Sequence, residues 1–202
     1  MKRFNLRGNA ALWLAGINVG VFLLTYIIPR LLPLLALSPY ALLRAGFFWT
    51  PLTYMFAHGG FTHLLFNTFF LFMAGPVVEE RMGSSEFLIY YLLTGILAGI
   101  FSVFAYLFSG LAVPIVGASG ALYAVLLALA TYYPNTQLMV FFVLPMRAPM
   151  ALLLFTGLDI IFHWTGRTGV AHLTHLSGLL FGFLYFIIRL KINPIRAMRN
   201  SR

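Results

Sequence analysis

Six long apolar runs constrain the fold of this chain more than any other feature of its sequence. They cover residues 10–28, 58–76, 86–108, 117–133, 147–164 and 170–190. Each is about 16 to 23 residues long, close to the length that an α-helix needs to cross the hydrocarbon core of a bilayer. With 61% hydrophobic and 8% charged residues, the chain has too few charges to cover a soluble globule. The sequence therefore predicts an all-α integral membrane protein, a six-transmembrane-helix bundle that forms one domain over residues 1–202.

The segment between the first two runs, residues 29–57, differs from both. It is too apolar for a solvated linker, and prolines interrupt it too often for a membrane span. It contains Trp49 and Tyr54, and these residue types favour the membrane–water interface. We therefore expect an interfacial first loop, and residues 135–145 have a similar character.

The net charge of +9 fits orientation in a membrane better than binding to nucleic acid. The basic side chains lie at the termini and loop edges and not along one amphipathic face. With a cytoplasmic N-terminus, ten Lys and Arg residues fall inside and three outside, which is a clear positive-inside bias. The inside residues are Lys2, Arg3, Arg7, Arg81, Arg147, Arg189, Lys191, Arg196, Arg199 and Arg202, and the outside residues are Arg30, Arg44 and Arg167. We therefore expect a multi-pass protein of the bacterial inner membrane with both termini in the cytoplasm.

In this topology the second, fourth and sixth spans begin at the outer face, and each carries polar residues near its start. These residues are His58, His63, Asn67, Ser119, His172 and His175. Polar groups at that depth are costly unless they are paired or line a wet cavity, so they are candidates for function. Since the chain has no cysteine, a serine hydroxyl is the nucleophile to consider.

Ser119 follows Gly117-Ala118 and precedes Gly120, where a proline-containing loop becomes an apolar helix. The free N–H groups of a helix N-terminus favour developing negative charge beside this hydroxyl. In the sixth span, His175, Gly178 and Gly182 follow one another at spacings of three and four.

The two glycines in this stripe allow a neighbouring helix to approach closely, and Gly120 with Ala124 gives the fourth span a matching small face. Packing the two faces together would bring His175 within reach of Ser119. A neutral histidine is the usual base for a serine nucleophile. His63 and Asn67, four residues apart on the second span, could both donate hydrogen bonds to an oxyanion.

The carboxylate of a full triad has no clear candidate in the sequence. Glu79, Glu80 and Glu86 fall around the turn between the second and third spans, and Asp159 has no motif that ties it to His175. The sequence therefore favours a Ser–His dyad, with the ring of Tyr123 stacked on His175 in place of an acid.

Several of these residues have simpler structural explanations. His58 could be an interfacial histidine satisfied by loop carbonyls, which we favour over a chemical role. We expect a solvated His172 near the membrane surface and His163 at the membrane boundary beside Trp164. Asn67 could hold two helices together, and Tyr123 could be an ordinary core residue.

Two other functional classes compete with an enzyme. Five histidines could bind metal or haem in a transporter or an electron carrier, but intramembrane carboxylates are almost absent and no haem-type pairing is suggested. No metal or cofactor is therefore expected. The second alternative is a catalytically silent protein that binds transmembrane helices in the same groove.

Together these motifs resemble those of the rhomboid intramembrane serine proteases. The matching elements are His58-x4-His63-x3-Asn67, Glu79-Glu80-Arg81, Gly117-Ala118-Ser119-Gly120 with Tyr123, and His175-x2-Gly178-x3-Gly182. Their order and spacing agree with the family over 125 of the 202 residues. One departure is Trp49-Thr50, where many members carry Trp-Arg.

The resemblance implies a rhomboid-type six-span fold and a serine-type endopeptidase. By this resemblance Ser119 is the nucleophile and His175 is the general base and acid. His63, Asn67 and the backbone N–H of Ser119 would form the oxyanion hole, and His58 would support the loop before the second span. The expected partners are the lipid bilayer and the transmembrane segments of other membrane proteins, cut near their outer ends without metal or cofactor.

Overall fold

A computed structural model describes residues 9–110, 113–141, 143–165 and 172–200. Within these ranges the chain forms ten α-helices and one two-stranded hairpin. The elements are α1 (Ala10–Ile27), α2 (Leu31–Leu35), α3 (Pro39–Leu43), α4 (Thr50–Thr53), α5 (Phe61–Met82), α6 (Ser84–Phe108), α7 (Ser119–Tyr132), β1 (Gln137–Val140), β2 (Leu144–Arg147), α8 (Ala148–Thr165), α9 (His172–Ile188) and α10 (Pro194–Asn200). Outside the described residues lie Lys2, Arg3, Arg7, Arg167, Arg202 and the first two positions of the last predicted run.

Each of the six apolar runs overlaps one helix, and for five of them the ends agree to within two residues. Among the described residues, α1, α5, α6 and α8 are long and apolar enough to cross a membrane. Helices α7 and α9 are also apolar but shorter, with 14 and 17 residues. The chain is thus mostly helical, with a helix at each apolar run, and the six membrane spans stay a prediction.

Helix α5 departs most from its predicted range, 58–76. It begins at Phe61, so His58 lies in the segment before the helix and not on the span itself. It then continues through Pro76 to Met82. Proline removes one backbone donor, but the apolar residues after it extend the helix far enough for Glu79 to reach α1. The Glu79 carboxylate accepts hydrogen bonds of 2.9 Å from the backbone N–H groups of both Ala10 and Ala11.

The prediction of an all-α fold is wrong at residues 137–147. This segment forms an antiparallel hairpin in which Gln137 pairs with Arg147 and Val140 with Leu144. Polar backbone groups need partners wherever water is scarce, and a hairpin pairs them within the segment itself. The hairpin leads directly into α8, where Ala148 donates its N–H to the carbonyl of Thr136.

Three short helices, α2 to α4, occupy the segment between α1 and α5. Thr50, at the position of the family's arginine, is fully buried, and its hydroxyl donates to the Phe47 carbonyl at 2.7 Å. Tyr54 ties the end of this segment to the rest of the molecule. Its hydroxyl donates to the Gly95 carbonyl at 2.6 Å, and its own carbonyl accepts from Gly117 N–H at 2.8 Å. The interfacial position of the segment stays a prediction.

Helix α7 lies at the centre of the bundle and packs against α5, α6, α8 and α9. Nearly all its residues are buried, as expected for a helix that is apolar all round. Two close contacts fix α9 against it. A Cβ at Gly178 would overlap the Gly120 carbonyl oxygen, and one at Gly182 would lie 2.9 Å from the Ala124 Cβ.

The other end of α9 is held by charge. Arg189, just after the helix, donates from Nε and Nη2 to the Glu86 carboxylate on α6 at 2.6 and 2.9 Å. The Tyr185 hydroxyl donates to the same carboxylate at 2.5 Å. Helix α9 is thus fixed along its length, by glycine contacts and by these three hydrogen bonds.

Candidate active site

The structure brings Ser119 and His175 into direct contact. Ser119 is the first residue of α7, and His175 lies in the first turn of α9. The Ser119 Oγ and His175 Nε2 atoms are 2.7 Å apart. The glycine contacts between α7 and α9 hold the two backbones close enough for this hydrogen bond. The proximity predicted from the small-residue stripes is therefore confirmed, while the catalytic roles stay predictions.

Asp159 on α8 lies on the far side of the imidazole. Its carboxylate oxygens are 3.1 and 3.2 Å from His175 Nδ1. No sequence motif ties Asp159 to His175, and the Ser–His dyad was favoured for that reason, but the structure places this carboxylate within hydrogen-bond distance of the ring. Local spacing could not reveal this contact, because it joins two helices through space. The available signal was that Asp159 sits in an apolar run, where a carboxylate needs a partner.

His172 also contacts Asp159, with its Nδ1 2.5 Å from Oδ1. It is 6% exposed, so the prediction of a solvated histidine is wrong. The physical reason is that His172 and His175 are three residues apart on α9 and face the same carboxylate. These three side chains are the group among the described residues that could hold a metal ion. His163 on α8 is exposed, and its position at the membrane boundary stays a prediction.

Tyr123 stacks on His175 as predicted. The ring centroids are 4.7 Å apart and the planes differ by 16°. Tyr123 lies one helical turn after Ser119, so the same face of α7 carries both the hydroxyl and the ring that packs on its partner. The imidazole is therefore held from three sides, by Ser119, Asp159 and Tyr123.

Gly117 and His63 shape the loop that leads into Ser119. Gly117 has a φ of +110°, which side chains rarely adopt, and a Cβ there would lie 2.6 Å from two atoms of the His63 ring. The missing side chain therefore allows His63 on α5 to pack directly on the backbone before Ser119. This contact places the imidazole of His63 beside the N-terminus of α7.

Asn67 lies one turn after His63 and is 6% exposed. Its amide Nδ2 donates to the His63 carbonyl at 2.8 Å, so one of its two N–H groups bonds within its own helix. Its Oδ1 is buried with no hydrogen-bond partner among the described residues. The proposed donation from Asn67 to an oxyanion stays a prediction.

His58 lies in the segment before α5, beside His63, and its supporting role stays a prediction. It is 2% exposed, its Nδ1 is 3.2 Å from the Phe56 carbonyl oxygen, and its ring meets that of His63 edge-on with centroids 5.1 Å apart. Burial, with a smaller effect from His63, lowers the pKa of His58 to about 4. The ring is therefore neutral near pH 7, and Nδ1 donates to the carbonyl.

Comparison with known proteins places these residues in one family. A sequence model described as the Rhomboid domain matches residues 45–192. YdcA and GluP of Bacillus subtilis, both named as rhomboid proteases, are 38% identical over 78 residues and 40% over 89. These alignments cover 39% and 44% of this chain, and 38% and 17% of the two relatives.

The human mitochondrial presenilin-associated rhomboid-like protein is 31% identical over 133 residues, 64% of this chain and 35% of its own length. The chain thus aligns with well under half the length of each of these relatives. The family match covers most of the chain, including every residue of the site from His58 to His175. This chain is a multi-pass integral membrane protein that belongs to the rhomboid family.

Proposed function

We propose that this chain is an intramembrane serine endopeptidase that cuts transmembrane segments of other membrane proteins near their outer ends. Rhomboid membership supports intramembrane protease activity in general. The observation that carries the proposal for this chain is the 2.7 Å separation between Ser119 Oγ and His175 Nε2. That distance is within reach of proton transfer from the nucleophile to its base.

The reaction is acyl transfer in two steps. Ser119 Oγ attacks the scissile carbonyl carbon while His175 Nε2 takes its proton, and the peptide C–N bond then breaks as His175 returns the proton to the leaving amine. Water repeats the sequence on the acyl-enzyme, with His175 again as base, and releases the carboxylate product. Both peptide fragments leave and the free serine is regenerated.

Asp159 determines which imidazole nitrogen carries the proton. Its carboxylate accepts from Nδ1, so Nε2 presents a lone pair to the serine hydroxyl. We therefore extend the Ser–His dyad to include Asp159 as a positioning residue. As the nucleophile loses its proton, the carboxylate also stabilises the imidazolium that forms.

The tetrahedral oxyanion forms beside the N-terminus of α7. The Ser119 backbone N–H belongs to the first turn, where N–H groups have no partner within the helix. His63, packed on Gly117, and the second N–H of Asn67 complete the proposed oxyanion hole. One such donor typically lowers the barrier by about 3 to 4 kcal/mol.

The proposed membrane arrangement has six spans in one rhomboid domain over residues 1–202 and an interfacial first loop. Both termini face the cytoplasm of a bacterial cell, and the active site opens to the outside. The distribution of Lys and Arg supports this orientation. Cysteine scanning with an impermeant thiol reagent at Asn9 and Ser109, which the topology puts on opposite sides, tests it.

Labelling with a serine-directed fluorophosphonate tests the nucleophile. Wild-type protein in liposomes should be labelled and should cut single-span model substrates, and Ser119→Ala should do neither. Ser109→Ala is the matched control, because Ser109 lies at the end of α6 and its hydroxyl donates to the Ala105 carbonyl. Cleavage by Ser119→Ala at the wild-type rate contradicts the proposal.

A catalytically silent protein that binds transmembrane helices is the second candidate. The observation in its favour is that the human relative is named rhomboid-like and not a protease. In that case wild type and Ser119→Ala would crosslink equally well to a single-span protein, and neither would cut it or react with the fluorophosphonate.

A further inference from the structure

Asp159, His172 and His175 form a compact group of metal-ligating side chains. One ligand atom from each lies within 4.8 Å of the others. Asp159 Oδ1 is 2.5 Å from His172 Nδ1 and 3.1 Å from His175 Nδ1. The two histidines present the same ring nitrogen to one carboxylate, from positions three apart on α9.

The chemistry of this group selects one class of ion. Two imidazoles and a carboxylate are a recurrent three-ligand set for Zn²⁺, which leaves the fourth tetrahedral position open. Ligand atoms about 2.0 to 2.1 Å from zinc are roughly 3.3 Å from one another. Changes of about 1.5 Å or less in the separations between these atoms would give that spacing. Mg²⁺ and Ca²⁺ prefer oxygen ligands and would bind less well.

Burial strengthens this inference. The side chains of Asp159 and His172 are each 7% exposed, and that of His175 is 12% exposed. A carboxylate in an apolar helix bundle is costly without positive charge, which a divalent cation would supply.

We propose that Asp159, His172 and His175 bind Zn²⁺ and that the bound ion inhibits the enzyme. Zinc bound to Nδ1 of His175 moves the single proton of that ring to Nε2. Nε2 then donates to Ser119 Oγ and cannot accept its proton, so the nucleophile has no base. Inhibition rests on the proposed protease function, whereas binding of the metal does not.

Metal binding is measured on Ser119→Ala protein in detergent, because that variant removes turnover and keeps all three ligands. Titration with Co²⁺ should give the visible d–d bands of a tetrahedral site at one ion per chain, and Zn²⁺ should abolish them. In the double variant that carries both Ser119→Ala and His172→Asn, the affinity for Co²⁺ should fall by at least about tenfold. Adding His163→Asn instead, which removes an exposed histidine from α8, should leave the affinity unchanged.

Turnover is measured separately on protein that retains Ser119. Zn²⁺ should inhibit substrate cleavage, a chelator should restore it, and Mg²⁺ should have no effect. For His172→Asn, inhibition is expressed relative to the rate of that variant without metal. The same fractional inhibition should require a Zn²⁺ concentration at least about tenfold higher than for the wild type. Size-exclusion chromatography checks the fold of each variant, and Asp159→Asn replaces His172→Asn in the Co²⁺ titration if the latter does not fold.

The outcomes separate the two proposals. Absent Co²⁺ bands, or equal affinity with and without His172, overturn the metal site. Metal binding without inhibition of an active enzyme overturns the regulatory role. Metal binding to a chain that cuts no substrate leaves the site standing and contradicts the protease.

Discussion

At the scale of single residues, Asp159 is where the chemistry can be tested most sharply. Asp159→Asn keeps the volume of the side chain but offers an N–H to His175 Nδ1, which favours the tautomer with its proton on Nε2. We expect kcat to fall by about 10² to 10⁴-fold, because that tautomer cannot accept the serine proton. Single-turnover cleavage in liposomes measures the change. Wild-type kcat in a folded Asp159→Asn protein would remove Asp159 from the mechanism.

His58 gives the site a dependence of stability on pH. Burial lowers the pKa of His58 from its ordinary value of 6.5 to about 4. Between pH 6.5 and pH 4, His58 therefore binds a proton in the unfolded chain but not in the folded protein. The contribution of His58 to the free energy of unfolding is therefore fully present above pH 6.5. It is lost as the pH falls toward 4, by up to about 3 kcal/mol.

His58→Gln, which can still donate to the Phe56 carbonyl, should remove this part of the pH dependence. Thermal unfolding at pH 7.5 and 4.5 checks it, since the melting temperature of the wild type should fall further than that of the variant. Parallel decreases in the two proteins would show that His58 does not titrate on unfolding.

The residues that sequence analysis located and those it missed differ in how they are connected. Ser119, Tyr123 and His175 lie in short motifs whose spacing defines one face of a helix. Asp159 and His172 meet through a pairing of α8 with α9, and no periodicity within either helix encodes that pairing. The same limit explains why a solvated His172 was expected.

At the scale of helices, the contact between α7 and α9 is the most sensitive to a single methyl group. Gly178→Ala would place its Cβ on the Gly120 carbonyl oxygen, so the backbones must separate. We expect loss of cleavage together with a destabilisation of about 1 to 3 kcal/mol. Activity and thermal unfolding of Gly178→Ala are compared with those of Gly157→Ala.

Gly157 is the matched control because a Cβ there meets nothing within 4 Å. Gly157→Ala should be active and as stable as the wild type, or slightly more stable. Full activity in Gly178→Ala would show that the two helices can separate without moving Ser119 from His175.

The carboxylate of Glu79 joins two other helices. It accepts hydrogen bonds from the first two N–H groups of α1, and the Ser84 hydroxyl donates to it at 2.5 Å. Glu79→Gln removes the charge and one acceptor from the N-terminus of α1. We expect a loss of about 1 to 3 kcal/mol in the free energy of unfolding.

Urea unfolding in detergent measures this loss, with Glu80→Gln as control because Glu80 is the exposed neighbour of Glu79. The Glu80 variant should unfold like the wild type. Equal urea midpoints for the two variants would show that the hydrogen bonds from Glu79 to α1 contribute nothing to the free energy of unfolding.

The end of α5 could not be predicted from the local sequence. Gly75-Pro76 is a typical helix-ending signal, but α5 continues through it to Met82.

At the scale of the whole molecule, the order of the helices could be predicted because each apolar run has the length of a membrane helix. The hairpin could not, since residues 137–147 lack the alternation that marks a half-buried strand. The short helices between α1 and α5 could not be predicted either, because a proline can begin a helix as well as break one. Pro39 and Pro51 both lie in the first turn of a helix, α3 and α4 respectively.

The position of Ser119 inside the bundle also limits which substrates can react. Backbone carbonyls of a helical substrate are hydrogen-bonded and shielded, so the segment must unwind before attack. We expect Gly or Pro near the cleavage site to raise the rate, because either residue weakens the helix. A series of such changes in one single-span substrate, cut by wild type with Ser119→Ala as blank, measures the effect. Equal rates across the series would mean that unwinding does not limit cleavage.

The meeting of Gly120 and Gly178 has a mechanical consequence. The backbones of α7 and α9 are in direct contact there, so no change of side-chain rotamer at that contact can compensate for a displacement of one helix relative to the other. A slip of a single residue, about 1.5 Å along the axis, would be passed on to the reacting pair and would disturb the 2.7 Å contact between Ser119 and His175. The backbone contact therefore fixes the separation of the two helices that carry the reacting side chains, and substitutions that loosen packing elsewhere can lower thermal stability while leaving the rate of the chemical step unchanged.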